Sequence, residues 1–446
     1  MKTFLINLPW QENGRFGVRA GSRWPFTSLP DKNGYINYIP FPFFLAYTTS
    51  LLKKSGKEAM LMDAVAEGAA VEKVVSEIKS YAPGLLVIET STPSFEHDMN
   101  IARGLYKEFP HCQIVLCGPH ASVFPGQILE NYDFISYILI GEYEYTLLDL
   151  VNHLESGLDI ASVEGLAYRK GSASIINKLR PAINNLDDLP WPERETLPIY
   201  KYNDGFANLP KPNVQIWSSR GCPFGCTFCL WPQTMYGERR YRKRNPKDVV
   251  DEMGFLIHKF DFKAVYFDDD VFNIDRNHVL DICREIKKRE IKIPWAAMAR
   301  ADLMDDEVLR TMADAGLYAI KYGIESTDPG ILHACKKNLD LNKALQIIKF
   351  TQQLRIKVHL TFCLGLPGET KETMQQTIKF ARGISPDSLQ FSFAIPFPGT
   401  EYFAYCKRAG VLSSEKWSDY DGNFRQIMKA EYLGDIDLER TKNCFP

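Results

Sequence analysis

Cys222-Pro223-Phe224-Gly225-Cys226-Thr227-Phe228-Cys229 places three cysteines within eight residues, separated by three and then two positions, with an aromatic residue before the last. Three thiolates on one short loop can hold three irons of a four-iron, four-sulfur cluster and leave the fourth iron open to a further ligand. Two plainer readings compete. A zinc site would want a second Cys or His pair at similar spacing, and none is visible. Scattered buried cysteines would not come as a triplet flanked by Ser218-Ser219-Arg220-Gly221 and Leu230-Trp231-Pro232. Cys112, Cys117, Cys283, Cys335, Cys363, Cys406 and Cys444 show no framework spacing.

At 446 residues and 45% hydrophobic content, the chain can bury two cores, and its length suggests two or three domains. With no signal peptide at the N-terminus, free thiols and a cluster point to a reducing, cytoplasmic setting. A net charge of -2 lacks the basic excess of a nucleic-acid binder. The one basic run, Glu238-Arg239-Arg240-Tyr241-Arg242-Lys243-Arg244, follows the cluster loop. It suits contact with a cofactor, an acidic substrate or a partner domain, and equally a solvated face. Residues Asn33 to Leu52 carry no charge, yet Pro40, Pro42 and Thr48-Thr49-Ser50 argue for a loop feeding a buried helix rather than a membrane span.

Outward from the loop, apolar runs alternate with helix-length segments. Before it come Phe4 to Pro9, Ala59 to Asp63, Leu85 to Glu89, Gln113 to Gly118 and Tyr137 to Gly141. They predict an α/β domain with an open parallel sheet that binds ligands at its strands' carboxyl ends. A small hairpin, Val163 to Lys170 with Ser174 to Asn177, and a proline-stiffened crossover, Leu186 to Pro192, read as a linker. From the loop onward, Gln215 to Ser218, Ala264 to Phe267, Trp295 to Ala299, Ala319 to Tyr322, Val358 to Leu364 and Leu389 to Ala394 repeat strand then helix. The expected layout is a Rossmann-like domain over 1–155, a linker over 156–205, a barrel-like domain over 206–410 and an extension over 411–446.

The cysteine spacing resembles the radical S-adenosylmethionine superfamily. Its fold is a partial (β/α)6 TIM-like barrel, and its open iron is chelated by S-adenosylmethionine. The resemblance implies one-electron cleavage of that sulfonium to a 5'-deoxyadenosyl radical, which abstracts hydrogen from a substrate. It also implies an external electron donor such as flavodoxin or ferredoxin. Phe228 would stack beside the adenine. Asp268 and Asp269, ending the second barrel strand, would lie near the bound S-adenosylmethionine, and Arg300 would pair with its carboxylate. Glu325 in Gly323-Ile324-Glu325-Ser326 would accept ribose hydroxyls. Gly365 and Pro367 would form the adenine-supporting turn. Each has a plainer structural role open to it: packing, a helix cap or a surface ion pair.

With the N-terminal loops added, the chain resembles the cobalamin-binding branch of that superfamily. The resemblance places Asp63, Ser91, Thr92, Gly118, His120, Gly141 and Glu142 at the corrin. The Asp-x-His-x-x-Gly motif that supplies an axial histidine in many cobalamin proteins is absent. A domain that kept the shape and lost the corrin therefore stays open. Cys229-Leu230-Trp231-Pro232-Gln233-Thr234 with Tyr241-Arg242-Lys243-Arg244 resembles members associated with hopanoid biosynthesis, implying a small-molecule or lipid-linked substrate. The function implied is cobalamin-dependent methylation of an unactivated carbon. Radical rearrangement, ring contraction or cyclisation is the alternative, and a cluster- or cobalamin-binding sensor stands outside enzymology. No residue is singled out as a catalytic acid or base.

Overall fold

The structure, a computed structural model, describes residues 1–12, 14–18, 25–30, 38–204, 206–422 and 427–428. Cys444, residues 33–37 of the uncharged stretch and most of the expected extension beyond 422 lie outside the described residues.

Seven strands form the first sheet: β1 (Thr3–Asn7), β2 (Ala59–Asp63), β3 (Leu85–Glu89), β4 (Gln113–Cys117), β5 (Ile135–Leu139), β6 (Leu166–Lys170) and β7 (Ala173–Ile176), in the order β7-β6-β5-β4-β3-β1-β2. The first five are parallel and buried almost throughout, so they read as continuous apolar runs rather than alternating ones. Strand order reverses at β1 and β3, which opens a crevice at their carboxyl ends. The hairpin read as part of a linker instead extends this sheet, with β6 antiparallel to β5. Edge pairing of this kind is non-local and leaves no mark on the hairpin's own sequence.

The second sheet runs β8 (Asn213–Ile216), β9 (Ala264–Phe267), β10 (Trp295–Ala299), β11 (Leu317–Glu325), β12 (Lys357–Leu364) and β13 (Ser388–Phe393), all parallel and in chain order. Sequential winding in one direction is the barrel pattern. Among the described residues no ladder joins β8 to β13, so the barrel is open. The outer helices start where a side chain accepts from first-turn amides, at Asn245, Asp275, Asp305, Asp340, Thr370 and Thr400. These caps end each strand-to-helix loop cleanly and leave the loops free to carry the site.

The helix Phe43–Lys54 lies between the two sheets, with nine of its twelve residues buried. A short helix apolar on all sides is a core element, and no helix among the described residues is long and apolar enough to cross a membrane. Phe43 stacks on Trp217 at 4.0 Å, while Phe44 meets Trp217 and Trp231 edge-on. Beside this aromatic contact, Arg242 grips Glu142 through bonds of 2.6 and 2.9 Å, and Arg220 reaches Glu142 at 3.2 Å and Glu144 at 2.7 Å. All four side chains are buried. The basic run is thus split by strand alternation: Arg242 and Arg244 point inward, and Lys243 between them points outward.

Candidate active site

The cluster loop leaves β8 and is held by the acidic triplet that ends β9. Asp269, fully buried, accepts from the Ser218 and Ser219 amides at 2.7 and 3.2 Å and from the Ser218 hydroxyl. Burial pushes its carboxyl up to about 6, and the serine bonds pull the other way. Asp270 accepts from the Gly221 amide and the Tyr236 hydroxyl, both at 2.8 Å. Asp268 is buried, and its amide donates to the Ile216 carbonyl. Asp269 therefore seats the cluster loop through the protein's own backbone, in the stretch that the resemblance put near the bound S-adenosylmethionine. The following helix is capped by Asp275, whose side chain accepts from the His278 amide.

Further tethers fix the loop's far side. The Thr227 amide donates to the Cys335 carbonyl at 2.9 Å, and the Gln233 side chain donates to the carbonyls of Thr227 and Cys229. Cys222, Cys226 and Cys229 open into one cavity of about 200 Å³ with Arg300, Glu325 and Lys337. Phe224 and Phe228 complete an apolar wall. Burial raises the Cys222 thiol to about 12. Cys226 and Cys229 share a hydrogen bond that brings the Cys226 thiol down to about 7 and raises Cys229.

Thiols of this kind fit a cluster. Among the described residues, no three His, Cys, Asp or Glu side chains converge on a point that would ligate one metal ion. The three sulfurs share one cavity, as three thiolate ligands of a single cluster require.

Around that cavity the expected residues divide. Glu325 ends β11 at a register shift, with φ 69°, and its Oε1 lies 3.1 Å from Lys337 Nζ. Burial opposes the Lys337 ammonium, but Glu325 and Cys226 outweigh it and hold the group above the ordinary lysine value. Arg300 spends its fork on Asp302, at 3.0 and 2.7 Å, and on the Lys337 carbonyl at 3.1 Å, with its guanidinium 3.9 Å over the Phe224 ring. It borders the cavity while paired with Asp302. Gly365 donates its amide to Glu369 and accepts from the Tyr402 hydroxyl at 2.6 Å. Pro367 borders a separate cavity of about 470 Å³ on the outer side of Thr227. Lys337 escaped the sequence reading; its signal was a lysine set between buried Cys335 and buried Leu339.

On the first sheet the expected corrin residues largely serve the protein. Asp63 accepts from Asn7 at 2.8 Å, Tyr202 at 3.0 Å and the Ala66 amide at 3.2 Å. The Glu142 oxygens go to Arg220, Arg242 and the Ile183 amide. Both carboxylates thus tie neighbouring segments of the protein together at the carboxyl edge of the sheet. Ser91 joins Ser94, and Thr92 lies 3.2 Å from His120 Nδ1. His120 sits among Phe95, Phe124 and Trp417, and burial pushes it down to about 3, so its ring is neutral. Gly118 has φ 97°, and a side chain there would meet the Thr90 carbonyl at 2.4 Å. Gly141 abuts the barrel at Met235. It borders a cavity of about 660 Å³ between the sheet's carboxyl edge and the segment after the cluster loop, with Ser122, Arg180, Met235 and Tyr236. This interdomain space, with glycine at its edge, leaves room for part of a large planar cofactor.

Residues 218–381 match the Radical SAM superfamily. An uncharacterized methyltransferase of Pyrococcus horikoshii is 28% identical over 88% of this chain and 84% of its own length. An anaerobic magnesium-protoporphyrin IX monomethyl ester cyclase of Rubrivivax gelatinosus is 27% identical over 81% of this chain and 65% of its own. The solved radical S-adenosylmethionine methyltransferase TsrM of Kitasatospora setae, with cobalamin and a [4Fe-4S] cluster bound, superposes with a TM-score of 0.69 at 18% identity, covering 95% of this chain and 83% of that one. With a three-cysteine cluster loop at the mouth of an open parallel barrel and a doubly wound sheet set against it, the chain carries a Radical SAM superfamily domain over residues 218–381 and shares its fold with a solved cobalamin-bound radical S-adenosylmethionine methyltransferase.

Proposed function

We propose that the protein methylates an unactivated carbon of a small-molecule substrate, using cobalamin held between its two sheets. The observation that carries this reading is the pair of cavities on either side of the cluster-loop segment. One holds the three cysteines, and the other opens at Gly141 on the carboxyl edge of the first sheet. When bound, the cluster delivers an electron that cleaves S-adenosylmethionine to a 5'-deoxyadenosyl radical, and cobalamin supplies a methyl group. Cys222, Cys226 and Cys229 hold the cluster, and Asp269 and Asp270 fix their loop. Glu325 accepts the ribose hydroxyls. Phe224 and Phe228 keep water from the reacting carbon. Gly141 allows the corrin to approach the backbone. A low-potential carrier of the flavodoxin or ferredoxin type supplies the electron in a reducing, cytoplasmic compartment.

The test is protein purified without oxygen from cells supplied with cobalamin, with iron and cobalt measured per chain. Iron near four with stoichiometric cobalt is the expected result. Iron without cobalt overturns the methylating reading and favours radical rearrangement, as fits a chain similar to a ring-forming cyclase.

A further inference from the structure

Lys337 is a lysine with 8% of its surface exposed, bordering the same cavity as all three cluster cysteines. Buried lysines are rare without a partner, and the carboxylate within reach is Glu325 at 3.1 Å. The surrounding loop is built to hold it. Lys336 and Asn338 on either side both take left-handed φ, 56° and 45°, a conformation that non-glycine residues adopt at a cost. The amides of Lys337 and Asn338 both donate to the Leu332 carbonyl, at 2.9 and 3.1 Å. The Lys337 carbonyl receives Arg300, and the Cys335 carbonyl receives the amide of Thr227 from within the cysteine loop. Gly323 leaves the space: a side chain there would come within 2.6 Å of Glu325 Oε1 and 3.1 Å of Lys337 Nζ.

The other charged groups around the cavity have partners of their own. Arg300 is paired with Asp302, and Asp270 is engaged by the Gly221 amide and Tyr236. Lys337 is bolted to the cysteine loop through the Cys335 carbonyl, so its ammonium is a fixed positive charge beside whatever the thiolates hold.

We infer that Lys337 is an electrostatic positioning residue of the cluster site, whose ammonium stabilises the reduced cluster on Cys222, Cys226 and Cys229 and keeps Glu325 in its bulged conformation. This rests on the radical S-adenosylmethionine reading above. Reduction adds one electron from a low-potential one-electron donor, makes and breaks no bond to hydrogen, and leaves the cluster and its thiolates one charge more negative. A nearby cation favours that more negative state. Removing it makes the cluster harder to reduce.

The experiment is a redox titration, followed by electron paramagnetic resonance, of the full chain reconstituted without oxygen and without S-adenosylmethionine. Iron and sulfide are counted in parallel. Lys337→Met is expected to disfavour reduction tenfold or more, a shift of about 59 mV or more to lower potential for one electron. Lys337→Arg keeps the charge and is expected to stay near the parent. Glu325→Gln alone leaves the ammonium unopposed beside the cluster, and is expected to raise the potential, which reads the same coupling if Lys337→Met loses iron. A neutral variant with full iron at the parental potential overturns the inference, as does an arginine variant that shifts as far as methionine or loses its iron. A parent without a cluster signal would instead refute the cluster reading itself, so the two failures are distinct.

Discussion

Arg242 and Glu142 face each other across the two sheets as a bidentate pair, 2.6 and 2.9 Å apart, with side chains only 3% and 1% exposed. Removing Arg242 leaves Glu142 in a dry interface with only Arg220 at 3.2 Å and the Ile183 amide to answer its charge, which costs far more than the pair is worth against an apolar substitute. Arg242→Ala is therefore expected to destabilise the protein by about 3–5 kcal/mol, read as a lowered urea midpoint by circular dichroism. A midpoint within error of the parent would show that water reaches Glu142.

Much of this architecture was legible because it is local. Every predicted strand lies where an observed strand runs, within a few residues, since buried parallel strands announce themselves as short apolar runs between caps and glycines. The hairpin's union with the first sheet was not legible, because β6 chooses β5 through tertiary packing. At the site, spacing and motif singled out the cysteines and Glu325, which the structure places on one cavity. Asp269, Arg300, Asp63 and Glu142 could be placed but not assigned. Their side chains are polar, buried and close to backbone donors or opposite charges, and the folded chain satisfies them before any ligand arrives. Lys337 was missed because a lysine pair at a helix end reads as solvated surface.

Glu325 holds a left-handed backbone at the register shift that ends β11, with its carboxylate in the cysteine cavity. Replacing it with Ala removes an acceptor for two hydroxyls, a loss of about 1–3 kcal/mol. S-adenosylmethionine binding, measured by equilibrium dialysis without oxygen, is expected to weaken roughly tenfold or more, since ~1.4 kcal/mol is one decade. Iron content should be unchanged. Undiminished affinity would remove Glu325 from the binding site.

Glu369 folds back on the Gly365 and Leu366 amides, while its other oxygen, Oε1, is buried with no partner among the described residues. Burial pushes this carboxyl from 4.5 up to about 7, against the pull of the two amides. The folded state thus holds its proton to higher pH than the unfolded chain. Its contribution is fully present below about pH 4.5 and is lost as pH rises through about 7. A shift of this size corresponds to roughly 3 kcal/mol. Glu369→Gln keeps an acceptor for both amides and cannot ionise, so stability should fall less from pH 5 to pH 8 than in the parent. Parallel pH profiles in urea unfolding would show that Glu369 is charged in the fold.

Gly221, directly before Cys222, has φ 87°, and a side chain there would lie 2.0 Å from the Arg240 carbonyl. That contact is backbone, which cannot swing aside as a flexible side chain can. The same residue donates its amide to Asp270 at 2.8 Å, so the chain cannot back away without losing the bond that seats the loop. Gly221→Ala must then move either the cysteine loop or the strand Arg242–Lys243, which pairs with Ser219–Arg220. The loop has fewer ties than the buried arginine clasp behind that strand, so it is the part that shifts. The expected result is protein with a parental circular dichroism spectrum but at most half the parental iron per chain after reconstitution. Full iron with a lowered unfolding midpoint would mean that the arginine clasp yields first, and that the three cysteines keep their geometry without help from the turn.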